Sequence, residues 1–291
     1  MKLRIISMAL IAGCASVVTC AMAEESAQLS QNGDGNTSSI TQIGSDRVLG
    51  ESYIWGSGNT TSIIQSNVTD SGASIYETAS GNRGTIQQFD GTGLSAYINP
   101  LNTVGAGHDN AAEIIQSGND QFMTISQGYT GGMIPEDTGG SYNQASATQS
   151  GSFNTGIISQ PGSFNVALLS QTGNGSTAAE TNTAIIDQNG TGHRATLTQF
   201  GNLLEASIIQ SGTDHAASSR QEGSDGLSWI AQTGSGNTAY VFQINGGAGE
   251  NRSTISQGSF GNMANVSQNG SNLTSTISQS GNHNVANVTQ N

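Results

Sequence analysis

Charge is what this chain has least of. Charged residues make up 9% of its 291 residues and aromatic residues 5%. So few apolar anchors exclude a conventional globular core, and the composition alone reads as a low-complexity segment. Only Pro100, Pro135 and Pro161 interrupt the backbone, which suits a sheet more than a coil. Both cysteines, Cys14 and Cys20, lie near the N-terminus, so the rest of the chain has no disulfide to staple it. Lysine occurs once, at Lys2. What is abundant is glycine, 40 residues of it, together with Asn, Gln, Ser and Thr.

The one long apolar run is at the start. Lys2 and Arg4 precede a largely apolar stretch from Ile5 to Val18, and Ala21-Met22-Ala23 is a small-x-small site. Residues 1–23 therefore read as a secretory signal peptide cut after Ala23. The rival reading is a lipoprotein signal, since Ile11-Ala12-Gly13-Cys14 resembles a lipobox. Loss of Lys2 and Arg4 takes the formal net charge from −13 to −15 (−13 − 2). Such an acidic chain is not expected to bind nucleic acid or an anionic membrane, nor to span a membrane, and its copies repel one another.

Residues 24–291 are built on a beat. Glutamine returns at Gln188, Gln199, Gln210, Gln221, Gln232 and Gln243, then at Gln257, Gln268, Gln279 and Gln290. The same beat runs earlier with interruptions, through Gln31, Gln42, Gln65, Gln88, Gln116, Gln127, Gln149, Gln160 and Gln171. The gaps of 23 from Gln42 to Gln65 and from Gln65 to Gln88 each hold one degenerate unit and one extra residue. Two residues before most glutamines sits Ile, Leu or Val; four before, a small residue; six before, often Asn, as at Asn237, Asn262 and Asn284. Two after, Gly is common.

Steps of two place Asn, Ala, Val and Gln on one face of a strand, and the Gly marks a turn. An eleven-residue helical repeat is rejected, because each unit carries Gly and β-branched residues. A unit this short must stack on copies of itself. The expectation is an all-β, cross-β-like solenoid of about eleven two-strand coils, with a 22-residue repeat and an eleven-residue half-repeat. Its rod would be roughly 50 Å long at ~4.8 Å per coil. Stacked Gln and Asn would form amide ladders along it. Inserts are expected near residues 100–107, 128–142, 172–180 and 246–249. Neither end of the array shows a cap, so both terminal strands are expected to offer open edges, the C-terminal one built from Asn284, Ala286, Val288 and Gln290.

These features together resemble the curlin family, the subunits of bacterial curli fibres. Its motif, Ser-x5-Gln-x-Gly-x2-Asn-x-Ala-x3-Gln, is matched by Gln279-Ser280-Gly281-Asn282-His283-Asn284-Val285-Ala286-Asn287-Val288-Thr289-Gln290. Gln257 to Gln268 fits with the Gly displaced, and Gln149 to Gln160 keeps Gly151 and Asn154. This chain has more repeats and longer inserts than the best-known members. The resemblance implies a secreted subunit, exported through the periplasm by curli-type secretion machinery. It implies polymerisation with copies of itself, helped by a nucleator, into an extracellular, cell-surface amyloid that supports biofilm and adhesion.

Enzymatic constellations are not legible, and no cofactor is implied. Asp34 in Gly33-Asp34-Gly35 reads as a turn residue, since no tandem calcium-binding series follows. His193 and His215 replace Asn six before a glutamine and are 22 residues apart, so they stack on adjacent coils. They are the one weak metal candidate, set against two ladder positions filled by another polar ring. The competing function is a soluble solenoid that binds a ligand or ice, which needs Thr-x-Thr at the same offset in coil after coil. Thr196/Thr198 and Thr274/Thr276 occur without recurring at 22.

Overall fold

A computed structural model describes residues 7–9, 15–20, 25–99, 108–127, 140–175, 177 and 180–291. The strands in chain order begin with β1 (Ser7–Ala9), β2 (Ala15–Cys20), β3 (Ser26–Asn32), β4 (Thr37–Ile43), β5 (Leu49–Trp55), β6 (Thr60–Thr69), β7 (Gly72–Glu77) and β8 (Arg83–Thr92). They continue with β9 (Ser95–Asn99), β10 (Ala111–Asn119), β11 (Phe122–Gln127), β12 (Gln144–Ser152), β13 (Asn154–Gln160), β14 (Gly162–Ser163), β15 (Val166–Asn174) and β16 (Asn182–Thr191). The last are β17 (Arg194–Thr213), β18 (Ala216–Ser235), β19 (Thr238–Asn245), β20 (Asn251–Gln257), β21 (Met263–Asn269), β22 (Thr274–Gln279) and β23 (Val285–Gln290). Among the described residues no helix is long and apolar enough to cross a membrane.

Every pairing is parallel and joins a strand to the one a coil later, as β4 to β6 and β5 to β7. Two sheets result. The first runs from β4 through β6, β8, β10, β12 and β15 to β19, β21 and β23. The second runs from β3 through β5, β7, β9, β11, β13 and β16 to β20 and β22. β17 and β18 bend through a corner and serve both. The chain is a parallel β-solenoid of about ten turns, its repeat near 23 residues. At the N-terminal end β1 lies on β3 and β2 on β4, so the expected signal segment continues the stack in the full-length chain.

The interior follows from the two-residue steps. Ala264, Val266 and Gln268 of β21 are buried, while Asn265 and Ser267 between them face outward. The main apolar core is a continuous file from Ala27 and Leu29 to Ile277, and Val48, Val68 and Leu94 form a second, small cluster. The extra residue of the early coils is a bulge. Gly44, Asn67 and Asp90 have φ of 62°, 53° and 48°, and register jumps from Ser117↔Phe89 to Gly118↔Gly91 where the bulge is dropped. That bulge lengthens a 22-residue coil to 23.

The glycine two residues after glutamine does more than turn. A Cβ at Gly201 would overlap the carbonyl oxygen of Gly223 in the next coil, and the same holds from Gly190 to Gly212 and from Gly212 to Gly234. Coil backbones touch there, so no side chain fits. A further corner position carries positive φ without being reserved for glycine. It holds Gly58, Gly81, Asp109, Tyr142, Phe164, Gly192, Asp214 and Gly236 in successive coils.

Of the expected inserts, residues 100–107 and 128–139 lie outside the described residues. Gly140, Ser141 and Tyr142 are already back in the corner, where Asn110 Nδ2 donates to the Gly140 carbonyl at 2.8 Å. Thr172 to Asn174 complete β15 in register with Ser150 to Ser152. Gly246–Gly249 lies between β19 and β20.

Candidate functional site

The polar interior is organised as ladders. In the first sheet each Gln Nε2 donates to the Gln Oε1 one coil on, without a break from Gln42 to Gln290 through Gln65, Gln88, Gln116, Gln149, Gln171, Gln199, Gln221, Gln243 and Gln268, at 2.8–3.0 Å. In the second sheet the same chain runs from Gln127 through Gln160, Gln188, Gln210, Gln232 and Gln257 to Gln279. The other hydrogen of each amide reaches across the core. Gln210 Nε2 donates to the Arg194 carbonyl and Gln232 Nε2 to the Ala216 carbonyl, both at 3.1 Å. Each glutamine thus satisfies its buried amide and ties the two sheets together.

A second ladder runs beside it at the corner. The backbone N–H of each Asn donates to the Oδ1 of the Asn one coil earlier, from Asn59 on Asn36 (3.0 Å) to Asn262 on Asn237 (2.8 Å) and Asn284 on Asn262 (2.9 Å). The side-chain amide donates to carbonyls of the glycine corner, as Asn262 Nδ2 does to Gly281 at 2.8 Å. His193 and His215 take two rungs of this ladder. Their buried rings stack at 5.1 Å, Nδ1 of each accepts the next backbone N–H, and Nε2 faces the carbonyl four residues back. Both nitrogens of each ring are therefore occupied by backbone, and no group of three or more His, Cys, Asp or Glu with metal-site geometry is found among the described residues. Burial pushes His193 down to about 4, and His215 moves the same way for the same reason.

Two rungs of the second sheet's glutamine file, Ile54 and Glu77, carry other residues. Gln31, Ile54 and Glu77 lie in register, and Glu77 Oε2 is buried with no hydrogen-bond partner. Burial raises the Glu77 pKa well above the ordinary carboxylate value. Glu77 lies eleven residues before Gln88, so counting back from that glutamine would have exposed it. A groove of about 370 Å³ is an open trough on the outer face between Arg83, Glu113, Ser146 and Leu168.

The last coil differs from those before it. Asn262, Ala264, Val266 and Gln268 are buried beneath β23. Their counterparts Asn284, Ala286, Val288 and Gln290 are only half-buried, and Ala286 and Val288 extend the same apolar file. Gln290 Nε2 spends one hydrogen on the Thr274 carbonyl at 3.0 Å while Gln290 Oε1 accepts from Gln268 Nε2, which leaves the other Nε2 hydrogen directed out of the stack. The four residues expected at the C-terminal edge thus sit together on one rung.

No curated protein matches the chain. Residues 153–179, 180–201 and 261–291 match the curlin associated repeat, and these spans coincide with the ladder coils of β13 to β17 and of β21 to β23. The chain thus carries curlin associated repeats at three positions, set in an uninterrupted ladder.

Proposed function

We propose that this protein is a secreted structural subunit whose copies stack end to end into curli-like amyloid fibres of an extracellular matrix, supporting biofilm and surface adhesion. The carrying observation is the terminal rung. The residues that are buried at Asn262, Ala264, Val266 and Gln268 stand half-covered at Asn284, Ala286, Val288 and Gln290, and one more coil of the same kind would cover them.

The ladders have a direction, which supports head-to-tail growth. Glutamine Nε2 always points toward the C-terminal end and meets Oε1, while asparagine Oδ1 at each rung meets the N–H of the rung after it. The C-terminal face therefore offers an amide hydrogen at Gln290 and an acceptor at Asn284. A face beginning with Asn36 and Gln42 offers the complementary pair. Head-to-tail contact between unlike faces, repeated along the solenoid axis, leaves both ends open and generates filaments. Removal of residues 1–23 on export would take away β1 and β2 and bare β3 and β4. A nucleator and curli-type secretion machinery are the partners this reading calls for, with the periplasm as the route and the cell surface as the destination.

An ice- or ligand-binding solenoid has less support. It needs aligned threonine rows, yet Thr196 faces Ser218 and Thr198 faces Arg220.

The test is to purify residues 24–291 without denaturant and follow thioflavin T fluorescence with electron microscopy. Unbranched β-rich fibres should appear after a lag that sheared fibres abolish. A monomer that ignores such seeds for days would overturn the reading.

A further inference from the structure

Three tyrosines meet on the outer face of the second sheet. Tyr53 and Tyr76 are direct partners in the pairing of β5 with β7, and their rings lie 4.9 Å apart at an interplanar angle of 15°. Tyr97 leans onto Tyr76 at 5.4 Å, tilted by 47°. The hydroxyls are held. Tyr53 donates to Gln28 Oε1 at 2.6 Å, and Tyr76 donates to Glu51 Oε2 at 3.3 Å, a carboxylate that also accepts from Ser74 at 3.1 Å. An open hollow of about 210 Å³ between Tyr53, Trp55 and Tyr76 lets small molecules reach the ring edges.

No other tyrosine among the described residues has this company. Tyr142 stacks on Phe164 at 5.0 Å, and Tyr240 faces Ser218 and Asn265. Tyr129 lies outside the described residues.

A phenol gives up an electron readily only when its proton has somewhere to go. Here the Tyr76 proton already points at a carboxylate. Burial and the negative charge of Glu51 push the Tyr76 pKa up to about 12, so the ring is a neutral phenol at physiological pH with its hydrogen retained for that transfer. Overlapping faces hold two such rings at a fixed, short separation, which replaces a chance encounter by an intramolecular one.

We propose that Tyr53 and Tyr76 form a built site for oxidative coupling, in which a haem-type peroxidase using hydrogen peroxide joins them into a dityrosine that ties β5 to β7. Each phenol loses one electron and its hydroxyl proton, and Glu51 receives the proton from Tyr76. The two radicals join through the ring carbons ortho to the hydroxyls. The hydrogens on those carbons leave as protons when the rings regain aromaticity, and both oxygens are reprotonated. In sum two C–H bonds break and one C–C bond forms, and two electrons and two protons reduce one hydrogen peroxide to two waters. The product is a covalent staple between consecutive coils in a region without cysteine. It forms within one chain, so it stands apart from any assembly of copies.

The experiment uses the full chain, dilute and with its β-sheet circular dichroism verified, treated with a haem peroxidase and hydrogen peroxide. The chain should stay monomeric on a denaturing gel, lose two hydrogens in mass, gain dityrosine fluorescence, and give a cross-linked peptide joining Tyr53 to Tyr76. Tyr76→Phe should cut the yield by about ten-fold or more, since the proximity effect is lost. Tyr240→Phe should leave it unchanged. Glu51→Gln should slow coupling while the Tyr53–Tyr76 link stays the product, a split that loss of the stack would not give. Urea should erase the preference for this pair. Links that avoid Tyr53, links mainly between chains, or an undiminished yield in Tyr76→Phe would overturn the proposal.

Discussion

Nδ1 of His193 accepts the backbone N–H of His215 at 3.3 Å, beneath rings that lie within 2° of parallel. The contact needs an unprotonated Nδ1. Protonation would turn an acceptor into a donor facing a donor, inside the stack. Burial holds His193 at about 4, below the ordinary 6.5, and lowers His215 as well. Between those pH values the unfolded chain binds more protons than the fold, so stability rises with pH across the window. It is complete above pH 6.5 and is lost as pH falls toward about 4. Denaturation midpoints measured along that range should drop for the natural chain. Replacing both residues by Asn, the usual occupant of the rung, should flatten this part of the profile.

Glu77 carries the opposite sign. Its carboxyl stays protonated in the fold but ionises in the unfolded chain above its ordinary value of 4.5. Stability therefore falls as pH rises above 4.5. Glu77→Gln removes the ionisable group and should stabilise the fold at pH 7, by up to about 1.4 kcal/mol for each pH unit above the ordinary carboxylate value. The difference should shrink toward zero below pH 4.5. An equal gain at pH 4 and pH 7 would mean that ionisation is not the cause.

Glycines of one sequence type should respond differently to alanine. Gly201 has a φ of 133° and its backbone abuts the Gly223 carbonyl, whereas Gly72 has no heavy atom within 4 Å of where a Cβ would stand. Gly201→Ala should cost about 2 kcal/mol or more through strain and the parting of two coils. Gly72→Ala should be neutral or mildly stabilising. Urea midpoints of the two variants measure the contrast.

Salt should shorten the lag of assembly at pH 7. Without Lys2 and Arg4 the chain carries −15 (−13 − 2), and stacking copies brings like charges together. Screening acts over ~8 Å at physiological ionic strength, so moderate salt should already have an effect. Holding the pH at 7 keeps the histidine rungs out of the comparison. A lag unchanged between low and moderate salt would place the barrier in the ordering of the first coils instead.

The period of the glutamines made the coil legible, because eleven residues fit one strand and one corner and a step of two fixes the face. That is why Gln188 to Gln290 could be placed in ladders, and why Ala264 and Val266 could be placed inside, from sequence alone. What lay hidden depends on contacts between coils. Gly201 reads as a turn glycine until the Gly223 carbonyl is seen against it. The extra residue of each early coil has no constant type, being Gly44, then Asn67, then Asp90, and only the shared backbone angle unites them. The Tyr53–Tyr76 stack falls in units with no glutamine, where the beat gives no signal, and Glu77 is reached only by counting back eleven from Gln88.

The ladder from Gln42 to Gln290 spans sequence steps of 22, 23, 25, 28 and 33 residues, yet its hydrogen bonds keep to 2.8–3.0 Å. Distance along the rod is therefore counted in glutamines and not in residues. Chain length and axial rise are decoupled, and material can be added or cut at a corner while the pitch stays put. Deleting residues 128–139 should lighten each subunit and leave the axial advance per subunit where it was, so the mass per unit length of a filament would fall.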